Sequence, residues 1–303
     1  MSDILVIGSL NMDLVTVTNR MPTVGETIIG KRFDQIPGGK GANQAAAMAR
    51  LNGNVTMIGR VGEDLFGKAL IESLKKDGVN VNFIKEDKKL STGIATITVD
   101  GDGNNSIIVI PGANYGVDKD DIDENINLFN KSKIVLSQLE IPIDTVEYCL
   151  KIAKENGNYT ILNPAPAKVL SYNLIKNIDL LTPNETELEI ISGMKINNFD
   201  DVIKASKLLI DKGVKELIVT LGSEGSLYIN KDIEKKFNAY KVDAVDTTAA
   251  GDSFNGGIVV SVIEGKSMDE AIDFASKVGA LTVMKEGAQS SLPYRDEIDN
   301  FKE

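Results

Sequence analysis

Asp246-Thr247-Thr248-Ala249-Ala250-Gly251-Asp252-Ser253-Phe254-Asn255-Gly256-Gly257 passes from small and hydroxyl residues through a Gly-Asp pair into the apolar spacing Phe254, Ile258, Val259, Val262. That spacing predicts a helix beginning near Ala249 to Gly251. Side chains this small leave the first backbone N–H groups of such a helix uncovered. Those donors and the positive end of the helix dipole make a site for an anion. Asp252 lies in the same turn, within reach of whatever acts on that anion. The plainer reading is an ordinary first-turn aspartate, with Gly256 and Gly257 allowing close helix packing. The full twelve-residue run favours a functional site.

The rest of the chain narrows the chemistry. At 303 residues it accommodates one large α/β domain or two ordinary ones, and 42% hydrophobic content suffices for a core. No apolar run has membrane-spanning length, and Met1-Ser2-Asp3-Ile4-Leu5 runs directly into a strand-like segment with no signal peptide, so a cytoplasmic protein is expected. The single cysteine, Cys149, excludes an internal disulfide framework. A net charge of −11 with scattered basic residues argues against a nucleic-acid surface. There is no histidine, which removes the commonest general base and most zinc sites. Proton transfer near neutral pH then falls to a carboxylate, a lysine or a tyrosine, and Asp252 is the leading candidate.

Around that stretch, strands are expected at Ile4 to Ser9, Val55 to Val61, Ile134 to Leu139, Tyr159 to Asn163, Leu180 to Thr182 and Glu216 to Thr220. Helical patterns run over Gln44 to Leu51, Asp64 to Lys76, Asp144 to Glu155, Glu185 to Ile191, Phe199 to Lys212, Met268 to Met284 and Arg295 to Phe301. This alternation predicts an α/β fold: a mostly parallel sheet with helices on both faces. Leu14 to Ile36 reads as short strands outside that sheet. Thr92 to Val99 and Ser106 to Ile110 flank the turn-rich Asp100 to Asn105 as a hairpin. The two regions, about 14–36 and 92–111, are expected to form a small β lid within one catalytic domain spanning 1–303.

Ligand-type residues fall at the carboxyl ends of the expected strands, where α/β sheets bind ligands. Asn11 and Asp13 follow the first strand and Glu140 follows the strand ending at Leu139. Gly38-Gly39-Lys40-Gly41-Ala42-Asn43 allows close backbone approach to a polar ligand, with free N–H donors from the helix behind it. The plainer and less favoured reading is a glycine-rich loop with Asn43 as part of a helix N-terminus. Asn184-Glu185-Thr186-Glu187 supplies either dipole-complementing acids or carboxylates that position a hydrated magnesium ion. Thr220-Leu221-Gly222-Ser223-Glu224-Gly225 either passes a nucleotide closely or links two strands. Gly265-Lys266-Ser267 lacks the leading glycine of a P-loop. Gly101 to Ser106 lacks the third glycine of a dinucleotide fingerprint.

Three of these segments, Gly38 to Asn43, Asn184 to Glu187 and Asp246 to Phe254, resemble in order and spacing the ribokinase-like (PfkB) family of carbohydrate kinases. Asn11-Met12-Asp13, Leu139-Glu140, Asn163-Pro164-Ala165-Pro166-Ala167 and Gly287-Ala288-Gln289-Ser290-Ser291 extend the resemblance over nearly the whole chain. It implies a three-layer α/β/α sandwich with a β lid that also forms a homodimer contact. It further implies transfer of phosphate from ATP to the 5-hydroxyl of D-ribose, with Mg2+ and an activating K+. Asp252 matches the family's base, and Ala249, Ala250 and Gly251 its anion hole. Asn11, Met12, Asp13, the run Gly39, Lys40, Gly41, Ala42 and Asn43, and Glu140 match sugar contacts. Asn184, Thr220, Leu221, Gly222, Ser223, Glu224, Gly225, Gly251 and Ser276 match nucleotide contacts, and Glu187 the magnesium-linked acid. Asp246, Thr248, Thr282, Lys285, Gly287 and Ser291 match a monovalent-cation loop, largely through backbone carbonyls. Ser253, Ser276 and Thr282 depart from the residues common at their positions.

Other readings remain open on the residues alone. A sister kinase for another sugar or a nucleoside would share the phosphate machinery and differ at Asn11, Asp13 and Glu140. A dehydrogenase is disfavoured by the missing dinucleotide fingerprint. A sugar or nucleotide sensor would have no need of Asp252.

Overall fold

The computed structural model describes residues 3–301 and resolves the alternation into two sheets, the larger covered by helices. The strands are β1 (Ile4–Ile7), β2 (Asn11–Val17), β3 (Arg32–Gly38), β4 (Val55–Gly62), β5 (Asn80–Asp87), β6 (Gly93–Val99) and β7 (Asn105–Ile110). They continue as β8 (Ile134–Ser137), β9 (Tyr159–Leu162), β10 (Leu180–Leu181), β11 (Glu216–Thr220), β12 (Ser226–Ile229) and β13 (Glu234–Phe237). The first helices are α1 (Lys40–Arg50), α2 (Leu65–Lys76), α3 (Lys119–Asp123), α4 (Ile126–Phe129), α5 (Ile143–Glu155) and α6 (Tyr172–Ile175). After them come α7 (Glu185–Ser192), α8 (Phe199–Asp211), α9 (Ala250–Ile263), α10 (Met268–Val283) and α11 (Arg295–Asp299).

Nine strands form the main sheet in the order β13-β12-β11-β10-β9-β8-β1-β4-β5, parallel except for β12 and β13. Successive residues of β1 serve opposite faces, as strand geometry requires. Ile4 and Val6 join a core with Met48, Ile258 and Ala275. Leu5 and Ile7 join another with Val146, Leu188 and Leu209. The result is a three-layer α/β/α sandwich, with central strands such as β1 and β8 buried on both sides. Strand order reverses between β1 and β8, so the crevice at their carboxyl ends is the topological switch point.

A second sheet, in the order β3-β2-β6-β7, stands apart from the first. Its strand β2 begins at Asn11 and β3 ends at Gly38, so both meet the switch-point crevice.

Helix α9 is apolar around nearly its whole circumference because it is enclosed. A Cβ on Gly256 would lie 2.8 Å from Ala47 Cβ of α1, and one on Gly257 would lie 2.7 Å from Ala275 Cα of α10. The glycine pair is therefore what lets α9 sit between those two helices.

Some segments fall outside the expected alternation. β5, β12 and β13 are edge or near-edge strands with mixed polarity, and their patterns lack the continuous apolar run that marks the central strands. Helix α1 begins at Lys40, four residues before the expected Gln44, for a reason that lies in the site itself.

Candidate active site

The glycine-rich segment enters α1 through Gly39, whose φ of 90° places it where side chains are disfavoured. The first N–H groups of the helix find partners across the switch point. Lys40 N–H donates to Glu140 Oε2 (3.0 Å), Gly41 N–H to Ser9 Oγ (3.2 Å) and Ala42 N–H to the Ser9 carbonyl (2.9 Å). Ser9 Oγ in turn donates to Glu140 Oε2. The expectation of free backbone donors here is thus corrected, because residues at the ends of β1 and β8 consume them. That early capping is also why α1 starts at Lys40.

Asp252, in the first turn of α9, is 6% exposed. Its Oδ2 accepts from Asn43 Nδ2 (3.0 Å) and its Oδ1 from Gln44 Nε2 (2.9 Å), both amides being carried by α1. Asn43 Oδ1 is buried without a protein donor, an acceptor free for a ligand hydroxyl. Around this centre stand Lys40, Asp13, Glu140 and Glu187, which act on one another electrostatically. Burial opposes the charge on Lys40, but Asp252, Glu140, Glu187 and Asp13 together raise its ammonium above its ordinary value. Burial, reinforced by Glu140 and Asp252 and resisted by Lys40, pushes the Asp13 carboxyl up to about 7. The cleft therefore gathers one cation and several carboxylates, a set that can hold a polyhydroxylated molecule by many hydrogen bonds.

Above Asp252, Ala249 adopts φ 59°, ψ 9°, an unusual conformation for a residue with a side chain. The turn closes with Ala250 N–H on the Thr247 carbonyl (3.2 Å). The N–H groups of Gly251 and Asp252 meet no protein acceptor among the described residues. Of the three residues expected as an anion hole, Ala249 shapes the turn and Gly251 presents a free donor. The N–H of Ala250 is taken by the turn.

Asn184 and Glu187 form a reciprocal capping box on α7, with Glu187 N–H on Asn184 Oδ1 (2.8 Å) and Asn184 N–H on Glu187 Oε2 (2.9 Å). Burial raises the Glu187 carboxyl above its ordinary value, against the Asn184 N–H and Lys40. Among the described residues no cluster of three or more His, Cys, Asp or Glu is arranged to hold a metal ion. Asn184 also bridges to Thr220, which brings the end of β11 to α7. The Gly222–Glu224 turn follows, and Gly225, at φ 95°, lies so close to the end of β13 that an added Cβ would meet the Phe237 carbonyl at 1.9 Å. Glu224 pairs with Lys236, whereas Leu221 is buried. Next to this turn a cavity of about 740 Å3 is lined by Phe237, Ala239, Val242, Ser276 and Met284. The Ser276 hydroxyl donates to the Ile272 carbonyl (2.7 Å), leaving it an acceptor in that cavity.

The remaining expected residues surround Asp246. Its Oδ1 accepts from Thr248 N–H (2.8 Å) and Oγ1 (2.6 Å), and its Oδ2 from Gly287 N–H (2.9 Å). Burial works against this carboxylate, but those hydrogen bonds hold it below its usual range. Thr282 Oγ1 and Ser291 Oγ donate to the carbonyls of Val278 and Ala288, and the Lys285 ammonium pairs with Glu297. Their side chains are thereby turned to local partners.

A family model described as pfkB family carbohydrate kinase matches residues 1–295. The chain belongs to the PfkB family of carbohydrate kinases. This PfkB kinase is 40% identical over 298 residues to a ribokinase of Haemophilus influenzae, covering 98% of this chain and 97% of that one. It is 39% identical over 300 residues to a deoxyribokinase of Salmonella typhimurium, covering 99% and 98%. Its fold matches that of an Arabidopsis thaliana ribokinase complexed with ribose and ATP, with a TM-score of 0.95, 34% identity and full coverage of both chains.

Several site residues of the PfkB kinase escape sequence reasoning. Ser9 and Gln44 touch Glu140 and Asp252 directly, yet each reads as an ordinary neighbour of a more conspicuous residue. Asn114 donates through Nδ2 to Asn11 Oδ1 (2.7 Å) and accepts Leu10 N–H (2.9 Å), so it sets the Asn11 amide from 103 residues away. Two expected sugar contacts need correction: Met12 and Ala42 place their side chains in the core, because alternation along β2 and the inner face of α1 turn them from the cleft.

Asp13 supplies a pH test in the PfkB kinase. Its folded-state carboxyl titrates near 7 against an ordinary 3.8, so the folded protein holds that proton more tightly than the unfolded chain. Stability therefore falls as pH rises from about 4 and levels off above about 7. Asp13→Asn, neutral at every pH, is expected to raise the melting temperature at pH 8 and to leave it nearly unchanged at pH 4. Melting curves at the two pH values check this.

Proposed function

We propose that this kinase transfers the γ-phosphoryl group of ATP to the 5-hydroxyl of D-ribose. The observation carrying the reading is Asp252: a buried carboxylate at a helix N-terminus with free N–H groups, beside an unpartnered Asn43 oxygen. Asp252 accepts the proton of the sugar hydroxyl as its oxygen bonds to the γ-phosphorus. The bond from that phosphorus to the bridging oxygen breaks, and ADP leaves. The Gly251 and Asp252 N–H groups stabilise charge on the transferring phosphoryl oxygens. Asn11, Asp13, Lys40, Asn43 and Glu140 hold the sugar. The Gly222–Gly225 turn and the cavity beside Ser276 take the nucleotide. Support for ribose comes from relatives named ribokinases and from a like fold described with ribose and ATP. The deoxyribokinase relative, of nearly equal identity, favours deoxyribose as the second reading.

The test is ADP release with magnesium-ATP against ribose, deoxyribose, fructose and adenosine. A kcat/KM for ribose well above the others is expected. Preference for deoxyribose would exchange the two readings, and inactivity with both would overturn them.

Magnesium fits a site with few direct carboxylates, since it keeps most of its waters and binds through phosphates. Glu187, with Oε2 on the Asn184 N–H and Oε1 without a protein donor, would hold such waters. Bound there, magnesium supplies charge neutralisation to the triphosphate.

A monovalent cation fits the loop around Asp246. The carboxylate is held ionised there, and the negative end of α10 arrives at Val283, whose carbonyl binds the Val245 and Asp246 N–H groups. Potassium is therefore expected to raise kcat over tetramethylammonium. Asp246→Ala is expected to abolish that stimulation. Equal rates of the unaltered enzyme in the two salts would refute the cation role.

The four-stranded sheet serves as the lid and as a dimer contact. Its outer strand β7 exposes Ile107, Ile108, Val109 and Ile110 and leaves one edge unpaired, a combination that a partner subunit would cover. Sedimentation is expected to give a dimer, and Ile108→Lys a monomer.

A further inference from the structure

Beneath Asp252 lies a chain of buried amide and hydroxyl side chains that phosphoryl transfer does not itself require. Gln44, Gln138, Asn163, Thr182 and Asn255 come from α1, the ends of β8, β9 and β10, and α9, and all are at most 7% exposed. Their orientations follow from one fixed point. The Thr182 carbonyl can only accept, so Asn163 must present Nδ2 to it (2.9 Å) and turn Oδ1 toward Gln44. Gln44 then presents Nε2 to Asn163 Oδ1 (3.0 Å), and the second proton of that nitrogen goes to Asp252 Oδ1 (2.9 Å). Gln44 Oε1 is left to accept from Gln138 Nε2 (2.5 Å). On the other side, Thr182 Oγ1 donates to Asn255 Oδ1 (2.6 Å), and Asn255 Nδ2 donates to the Gly251 carbonyl (2.8 Å).

We propose that Gln44, oriented by Asn163 and Gln138, is a positioning residue that aims the Asp252 carboxylate. This rests on the reading of Asp252 as the base. With Asn43 on Oδ2 and Gln44 on Oδ1, each carboxylate oxygen keeps one lone pair, and the network decides where those point. A buried polar chain of this kind is costly, the more so as Gln138 Oε1 finds no protein donor, and apolar side chains would fill the same space without that cost. What the amides add is direction.

The charged groups facing Asp252 are Lys40 from α1, Asp13 from β2 and Glu187 from α7, with Glu140 beyond Lys40. None of them touches Gln44, so substitutions there leave that set in place. Gln44→Glu sets a carboxylate of the same shape against Asp252, and two such groups share a proton. The acid limb of kcat is expected to move up by about one pH unit or more. Gln44→Met removes the donor and is expected to lower kcat about 10- to 100-fold, with sugar and ATP affinities within about twofold. Gln138→Met frees Gln44 Oε1 without touching Asp252 and is expected to give a smaller loss of the same kind.

The experiment is the kcat profile from pH 5 to 9 for the full-length enzyme and the three variants. Sugar affinity is measured by calorimetry, with Asp252→Asn run alongside. A shifted acid limb in Gln44→Glu with unchanged sugar affinity supports the proposal. If Gln44→Glu does not fold, a kcat loss at constant affinity in the two methionine variants supports it. An unmoved acid limb, or affinity falling in step with kcat, overturns it while an inactive Asp252→Asn leaves the base reading standing. Normal turnover by Asp252→Asn would overturn the base reading itself.

Discussion

Asp252→Asn is expected to lower kcat by roughly 10²–10⁴ while ATP still binds. The loss follows from chemistry and packing together. An amide at this position takes no proton from the sugar hydroxyl, so the attacking oxygen must shed it to water in a cleft where Asp252 is 6% exposed. The substitution also conflicts with its neighbours. Asn43 Nδ2 and Gln44 Nε2 each donate to one Asp252 oxygen, and an amide nitrogen opposes one of them donor to donor. A stability cost of about 1–3 kcal/mol is expected for the donor left unsatisfied. Nucleotide affinity should survive, because Asn184, Thr220 and the Gly222–Gly225 turn are supported by their own capping box and strand bridge. Steady-state kinetics, ATP binding by calorimetry and a melting curve separate the three effects. Turnover near that of the unaltered enzyme would remove Asp252 from the role of base.

What the sequence made legible follows from the range of the interactions involved. The central strands β1, β8, β9 and β11 and the helices between them are encoded by periodicity over a few residues, and they were readable for that reason. So was the start of α9, where small residues and Asp252 lie side by side. The start of α1 is not legible locally because its capping partners, Ser9 and Glu140, lie 32 and 100 residues away along the chain. The contact of Gln44 with Asp252 spans 208 residues, and that of Gln138 with Gln44 spans 94. Nothing local to a glutamine in an alanine-rich helix announces such partners. Hydroxyl residues show the opposite problem. Thr282 and Ser291 look available in sequence, yet their hydroxyls are spent on nearby carbonyls, which leaves only their backbone carbonyls for the cation loop expected there. A residue type suggests what a side chain can bond, and only the fold decides which bond is already made.

Gly41→Ala tests how far the site depends on the approach of α1 to the end of β1. By helix propensity the change should help, since alanine is favoured over glycine in a helix by up to about 1 kcal/mol. Sterics oppose it. The new Cβ would lie 2.5 Å from Ser9 N and 2.8 Å from Gly8 Cα, both backbone atoms that no side-chain rotation can relieve. Overpacking of this kind costs about 1–3 kcal/mol, so a net loss of several degrees in melting temperature is expected. The catalytic effect should be larger than the stability effect. Moving α1 outward stretches Lys40 N–H from Glu140 and Gly41 N–H from Ser9, and carries Asn43 and Gln44 away from Asp252. A displacement of about 1 Å at reacting groups costs on the order of 10² in rate, and kcat/KM for the sugar is expected to fall by about that factor. Gly279→Ala is the control, because its Cβ would meet nothing closer than the Ala250 carbonyl at 3.9 Å. That variant should keep its activity and melt slightly higher. If the two substitutions behaved alike, the close seat of α1 on the β1 end would not be what holds Asp252 in place.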